Sequence, residues 1–149
     1  MLSVLRSIVQ EVNAAKDLQH ALDIIVSRVQ DAMDTDVCSV YLFDSASNRY
    51  RLMATEGLNQ EAVGKVSLGH SEGLVGLVGV REEPINLQDA PTHPRYRYFP
   101  ETGEERYHSF LGVPIIHRRN VLGVIVVQQQ SPNRYFDEGE EAFLVTVSA

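Results

Sequence analysis

Ser109-Phe110-Leu111-Gly112-Val113-Pro114-Ile115-Ile116 is followed by the basic turn Arg118-Arg119-Asn120 and then by Val121-Leu122-Gly123-Val124-Ile125-Val126-Val127. Two apolar, β-branched runs joined by a short polar connection make a hairpin inside a core. Pro114 conflicts locally with that reading, because it lacks a ladder donor; it is predicted at a bulge or facing away from a neighbouring strand. Upstream, the period changes to two after Asp34-Thr35-Asp36, with Cys38, Val40 and Leu42 facing one side and Ser39, Tyr41 and Phe43 the other. Asp44-Ser45-Ala46-Ser47-Asn48 is turn chemistry, and Tyr50 to Thr55 supplies the strand that returns. Shorter strands are predicted at Lys65 to Leu68 and at Pro84 to Leu87.

Helices flank these strands. Leu2, Leu5, Ile8, Val9 and Val12 form one stripe of a first helix. Asp17 caps a second, in which Leu18, Ala21, Leu22, Ile25, Val29, Ala32 and Met33 recur at helical period through to Asp34. Asp137-Glu138-Gly139-Glu140 fits a capping box, with Asp in the place of Ser or Thr, opening a last helix that buries Phe143, Leu144 and Val147. That helix carries no stop signal before Ala149 and is expected to continue in a longer polypeptide. Helices at both ends around a meandering set of strands define the α+β class, in one domain over residues 1–149.

With 149 residues, 44% of them hydrophobic, the chain can bury a substantial core without disulfides or a metal. The single cysteine, Cys38, and the absence of a secretion signal fit a reducing cytoplasm. No apolar run approaches the roughly 20 residues of a membrane span. A formal net charge of −7 disfavours binding to a nucleic-acid backbone, although Arg95, Arg97 and Arg106 concentrate basic charge in one segment.

The chemistry-bearing segments lie in the middle. Glu72-Gly73-Leu74-Val75-Gly76-Leu77-Val78-Gly79 reads as a short helix with a glycine every third residue, each costing about 1 kcal/mol relative to alanine. Close backbone approach offsets that, either to the sheet or to a ligand. Ser71 is a candidate N-cap that leaves first-turn N–H groups for an anion, and Glu72 is equally placed to satisfy that end. From Asp89 to Glu105 the chain is read as a long ordered loop, rich in proline and tyrosine; either Asp89, His93, Arg95, Tyr96, Arg97, Tyr98 and Phe99 close it over a pocket, or Tyr96, Tyr98 and Phe99 pin it to the core and the arginines are solvated. No catalytic set is expected: Cys38 sits on the apolar side of a strand, His20, His70, His93, His108 and His117 make no close metal pair, and no Walker or dinucleotide loop is present. No cofactor is expected either.

In this order the segments resemble a GAF domain, from Leu18 to Phe143. The resemblance is carried by Ala21-Leu22-Asp23-Ile24-Ile25, Cys38-Ser39-Val40-Tyr41-Leu42-Phe43-Asp44, Glu72-Gly73-Leu74-Val75-Gly76, Glu83-Pro84-Ile85-Asn86-Leu87-Gln88-Asp89-Ala90 and the closing hairpin. Ala32 to Leu42, Glu72 to Gly79 and Phe110 to Ile116 are similar, more narrowly, to the amino-terminal GAF domains of nitrogen-related phosphoenolpyruvate-protein phosphotransferases. The resemblance implies a central antiparallel sheet of five or six strands, terminal helices on one face, and a short helix plus long loop over the other. It also implies a regulatory module that senses glutamine or 2-oxoglutarate and controls catalytic phosphotransferase domains elsewhere in a parent chain. Such a ligand is expected against Leu68, Glu72, Gly73, Val75, Asp89, His93, Tyr96, Phe99, Phe110 and Leu111. The sequence departs from bilin-binding, methionine-sulfoxide-reducing and cyclic-nucleotide-binding GAF types, whose cysteines or motifs it lacks.

Two other readings compete with a sensor. The terminal helices could pair between subunits as a homodimer, leaving the fold a spacer without ligand. A thiol enzyme using Cys38 is the third.

Overall fold

The computed structural model describes residues 2–94, 108–130 and 135–148. Helix α1 (Leu2–Asn13) and helix α2 (Leu18–Met33) lead into strands β1 (Val37–Asp44), β2 (Arg49–Glu56) and β3 (Ser67–Gly69). Helix α3 (Gly73–Arg81) and strand β4 (Ile85–Leu87) follow, then β5 (Ser109–His117), β6 (Asn120–Gln129) and helix α4 (Glu138–Ser148). Short 3-10 turns occupy Gln60–Ala62 and Ala90–Thr92.

The six strands form one antiparallel sheet in the order β3-β2-β1-β6-β5-β4, so the hairpin that opens the sequence analysis is β5–β6, near the middle of the sheet. Both faces of the sheet are covered, which is why its central strands read as near-continuous apolar runs rather than strict alternation. Cys38, Val40, Leu111, Val113, Ile125 and Val127 join Ile8 of α1, Val26 and Val29 of α2, and Phe143 and Leu144 of α4 in one core. Tyr41, Tyr50, Leu52, Phe110, Val124 and Val126 join Leu74, Val75, Leu77 and Val78 of α3 in a second core on the opposite face. The α+β expectation, with terminal helices on one side and the short helix on the other, is met.

Local chemistry accounts for the element ends. Asp17 has extended backbone and its carboxylate accepts from the His20 N–H, while Asp34 closes α2 in the left-handed region at φ 54°. The capping box at α4 is reciprocal: the Glu140 N–H donates to Asp137 Oδ1 at 2.8 Å and the Asp137 N–H to Glu140 Oε1 at 3.0 Å. Buried Ser39 and Thr55 lie opposite each other across β1 and β2, their hydroxyls 2.8 Å apart.

Some features escaped the pattern. An irregularity in the β1–β2 pairing sets Val40 against Ala54 but Tyr41 against Leu52, so Leu52 faces the second core and Ala54 the first. Pro114 is paired with Val124, one residue before an irregularity in β5–β6, and lies past Gly112, the last residue of β5 that β4 pairs. Val9, expected on the apolar stripe of α1, is 49% exposed.

Candidate functional site

Helix α3 positions most of the expected site, and its glycines differ from one another. Gly73 has φ +68°, a left-handed conformation that glycine adopts without strain, at the point where the chain turns into the helix. A Cβ on Gly76 would stand 2.6 Å from the Ser71 carbonyl carbon, and one on Gly79 would stand 2.0 Å from the Tyr50 hydroxyl. Gly76 and Gly79 are therefore filled against protein, the packing alternative of the sequence analysis. The N-cap of α3 is Glu72, not Ser71. Its carboxylate does not cap the helix but folds back, accepting from the Gly69 N–H at 2.9 Å with Arg49 Nη2 at 3.7 Å. Arg49 is held in turn by donation to Ser67 Oγ and to the Ser67 carbonyl.

Beneath the first turns of α3, Leu68, Val75 and Phe110 meet in the second core, where Gly112 leaves room for the Phe110 ring. Buried Ala90 belongs to the same core and anchors the turn that carries Asp89 and His93. The Ala90 N–H donates to the His108 carbonyl at 2.6 Å, and Asp89 Oδ1 lies 3.1 Å from His108 Nδ1. Those contacts join the chain before residue 95 to the residue that enters β5. Tyr96 and Phe99, and the loop from residue 95 to Glu105, fall outside the described residues.

Leu111 requires correction. It is fully buried in the core shared with α1, α2 and α4, because neighbouring strand residues point to opposite faces and Phe110 takes the α3 side. It does not line a site beneath α3.

At the other end of α3 lies a cleft of about 460 Å³ that the sequence did not signal. Phe43, Tyr50, His70, Glu82 and Arg119 are among its lining residues, and they come from the β1–β2 hairpin, from both ends of α3 and from the β5–β6 turn. The Phe43 ring centroid lies 5.1 Å from that of Tyr50 and 6.1 Å from that of His70. Burial, reinforced by the Glu82 carboxylate, pushes the Tyr50 phenol above its ordinary pKa.

A thiol mechanism finds no support. Burial, with a smaller contribution from Glu56, pushes the Cys38 thiol far above the range in which a thiolate forms. Among the described residues no three His, Cys, Asp or Glu side chains cluster to hold a metal, and no helix is long and apolar enough to cross a membrane.

The comparisons with known proteins agree with this architecture. The model of the GAF domain family matches residues 17–149. Among solved structures, the GAF domain of a phosphoenolpyruvate-protein phosphotransferase from Coxiella burnetii is 53% identical, with a TM-score of 0.93 over 99% of this chain and 87% of that one. Its Acinetobacter counterpart is also 53% identical, with a TM-score of 0.89 over the same shares of the two chains. A phosphoenolpyruvate-dependent phosphotransferase system protein of Escherichia coli (strain K12) is 53% identical over 99% of this chain, which spans only 20% of that protein's length. A free methionine-R-sulfoxide reductase from Neisseria meningitidis shares the fold at a TM-score of 0.83 with 19% identity. The chain belongs to the GAF domain family, in the branch found in phosphoenolpyruvate-protein phosphotransferases.

Proposed function

We propose that this GAF domain is a metabolite sensor that regulates phosphoryl transfer from phosphoenolpyruvate in catalytic domains of a longer chain. Its ligand is a small polar nitrogen-status metabolite, glutamine or 2-oxoglutarate. The ligand meets Leu68, Val75 and Phe110 on its apolar side and Glu72, Gly73, Asp89 and His93 on its polar side. The observation that supports this reading most is the anchoring of the Asp89–His93 turn: Ala90 is buried in the core beneath α3, and Asp89 and Ala90 both bond His108. Polar groups held at fixed positions beside an apolar core are what orients a small ligand.

The test uses the intact phosphotransferase. Autophosphorylation from phosphoenolpyruvate should change on addition of glutamine or 2-oxoglutarate, and Asp89→Asn with His93→Ala should abolish the response while leaving the unliganded rate unchanged. A rate indifferent to both metabolites at millimolar levels, with no binding by calorimetry, would sink the proposal.

A second reading has its own observation. Leu5, Val9, Val12, Ile25 and Val147 line an apolar groove of about 180 Å³ between the terminal helices, and Val9 and Val145 are 49% and 41% exposed. A homodimer through these helices would cover that surface. Sedimentation of Val9→Glu and Val145→Glu variants tests it: a dimer that survives both substitutions must associate elsewhere.

A further inference from the structure

We propose that Gln128 of β6 is a specificity-determining residue of the sensing site, one that receives a ligand's terminal carboxamide and rejects a carboxylate in its place; this rests on the sensing reading and adds a residue to it. Residues paired across strands share a face, and Gln128 stands opposite Phe110 of β5 on one side and Val37 of β1 on the other, with Leu87 of β4 beyond Phe110. Val126, on the same face of β6, belongs to the core beneath α3. An amide is thus set in a row otherwise made of Leu87, Phe110 and Val37, and the residue is only 5% exposed. Buried Ser39 and Thr55, also on that face, are bonded to each other, whereas no hydrogen bond among the described residues engages the Gln128 amide. The Phe110 ring leans along its own strand over Gly112 instead of across to Gln128.

His108 ties this position to Asp89. The His108 N–H donates to the carbonyl of Gln129, the next residue of β6, at 3.0 Å, and its Nδ1 lies 3.1 Å from Asp89 Oδ1. A neutral amide and a carboxylate therefore stand at the same end of the sheet, and they ask for different groups. A carboxamide offers a donor and an acceptor, the Gln128 amide offers the complementary pair, and two hydrogen bonds satisfy both partners. A carboxylate only accepts: one of its oxygens would face the Gln128 carbonyl, and its charge would be buried in a row that holds no cation. An ammonium group, in turn, is met by Asp89. Of the two metabolites in the sensing reading, glutamine carries both groups and 2-oxoglutarate carries neither. Glutamate differs from glutamine at the terminal group alone, so the pair isolates what Gln128 contributes.

Calorimetry on the intact phosphotransferase tests this with glutamine, glutamate and 2-oxoglutarate as probes. The wild type is expected to bind glutamine about tenfold or more tightly than glutamate. Gln128→Met keeps the length of the side chain and removes its hydrogen bonds, so glutamine should bind about tenfold more weakly and the preference over glutamate should vanish. Asp89→Asn should weaken glutamine and glutamate alike, because both carry the ammonium group. A residue that only supported packing would weaken the two ligands together and leave their ratio unchanged. Thermal unfolding verifies that each variant folds; if Gln128→Met does not, Gln128→Asn, which draws the amide back by one methylene, should lower the same ratio. A wild type that binds none of the probes overturns the sensing reading and this assignment with it. A wild type that binds glutamine with an affinity and a preference unchanged in Gln128→Met, or that prefers glutamate or 2-oxoglutarate, overturns the role of Gln128 and leaves the sensing reading standing.

Discussion

At the scale of single residues, the α3 glycines show how much depends on what lies opposite. Gly76→Ala gains about 1 kcal/mol of helix propensity, but its Cβ would be forced against the Ser71 backbone, and overpacking of that kind costs about 1–3 kcal/mol. A net loss of stability, read as a lower urea midpoint, is expected. Arg119→Gly should do the reverse and stabilise by about 1 kcal/mol, because it relieves a left-handed backbone position in the two-residue turn between β5 and β6. Cys38 sets a pH dependence. Its thiol stays protonated in the folded chain while the unfolded chain loses that proton above the ordinary thiol value of 9.0, so the unfolded state binds fewer protons and stability falls as pH rises past that value. Urea midpoints measured from neutral pH to about pH 10.5 should decline more steeply in the wild type than in Cys38→Ala, by up to about 1.4 kcal/mol per pH unit. The glycine spacing itself was legible in the sequence. That Gly79 faces a tyrosine from β2 was not, because only the folded sheet brings the two together.

At the scale of elements, what could be read was what is encoded locally. The caps at Asp17 and Asp137 and the two apolar runs of the β5–β6 hairpin depend on neighbours within a few residues, and each is found where the pattern put it. Asp137→Ala should therefore destabilise the chain by about 1 kcal/mol, and Asp137→Asn by much less, since asparagine caps nearly as well; chemical denaturation of the two variants checks it. The start of α3 was misread for a physical reason. Ser71 has the better capping side chain, but the turn through Gly73 makes Glu72 the cap and sends its carboxylate back to the Gly69 N–H. The irregularity in β2 was equally hidden, because it falls within Leu52-Met53-Ala54, three consecutive apolar residues in which a shift of one leaves no mark on the pattern. The same alternation explains Leu111: an expected lining residue adjacent to Phe110 had to point the other way.

At the scale of the whole molecule, the sheet separates the α3 side, with its candidate ligand residues, from the terminal helices, and a sensor must pass a signal between them. A ligand can do so only through a difference in affinity between two arrangements. Among the described residues, Asn86 of β4, whose partner Leu111 faces the terminal helices, donates through Nδ2 to the Phe136 carbonyl at 2.7 Å, immediately before the capping box of α4, and so ties the strand that leads to Asp89 to that helix. Phe136 is itself fully buried in the core of the terminal helices, and three residues after Asn86 comes Asp89. The Asn86 Oδ1 atom is buried without a partner among the described residues, so the amide is held from one side only. Asn86→Ala removes both the bond and the orphaned acceptor, and should therefore change stability by only about 1 kcal/mol. Its larger effect should be on transmission: in the intact phosphotransferase, calorimetry should find metabolite affinity nearly unchanged while the ligand-induced change in autophosphorylation rate is lost. If the response survives in Asn86→Ala with wild-type amplitude, the signal reaches α4 through the packed side chains of the sheet, and this hydrogen bond is structural alone.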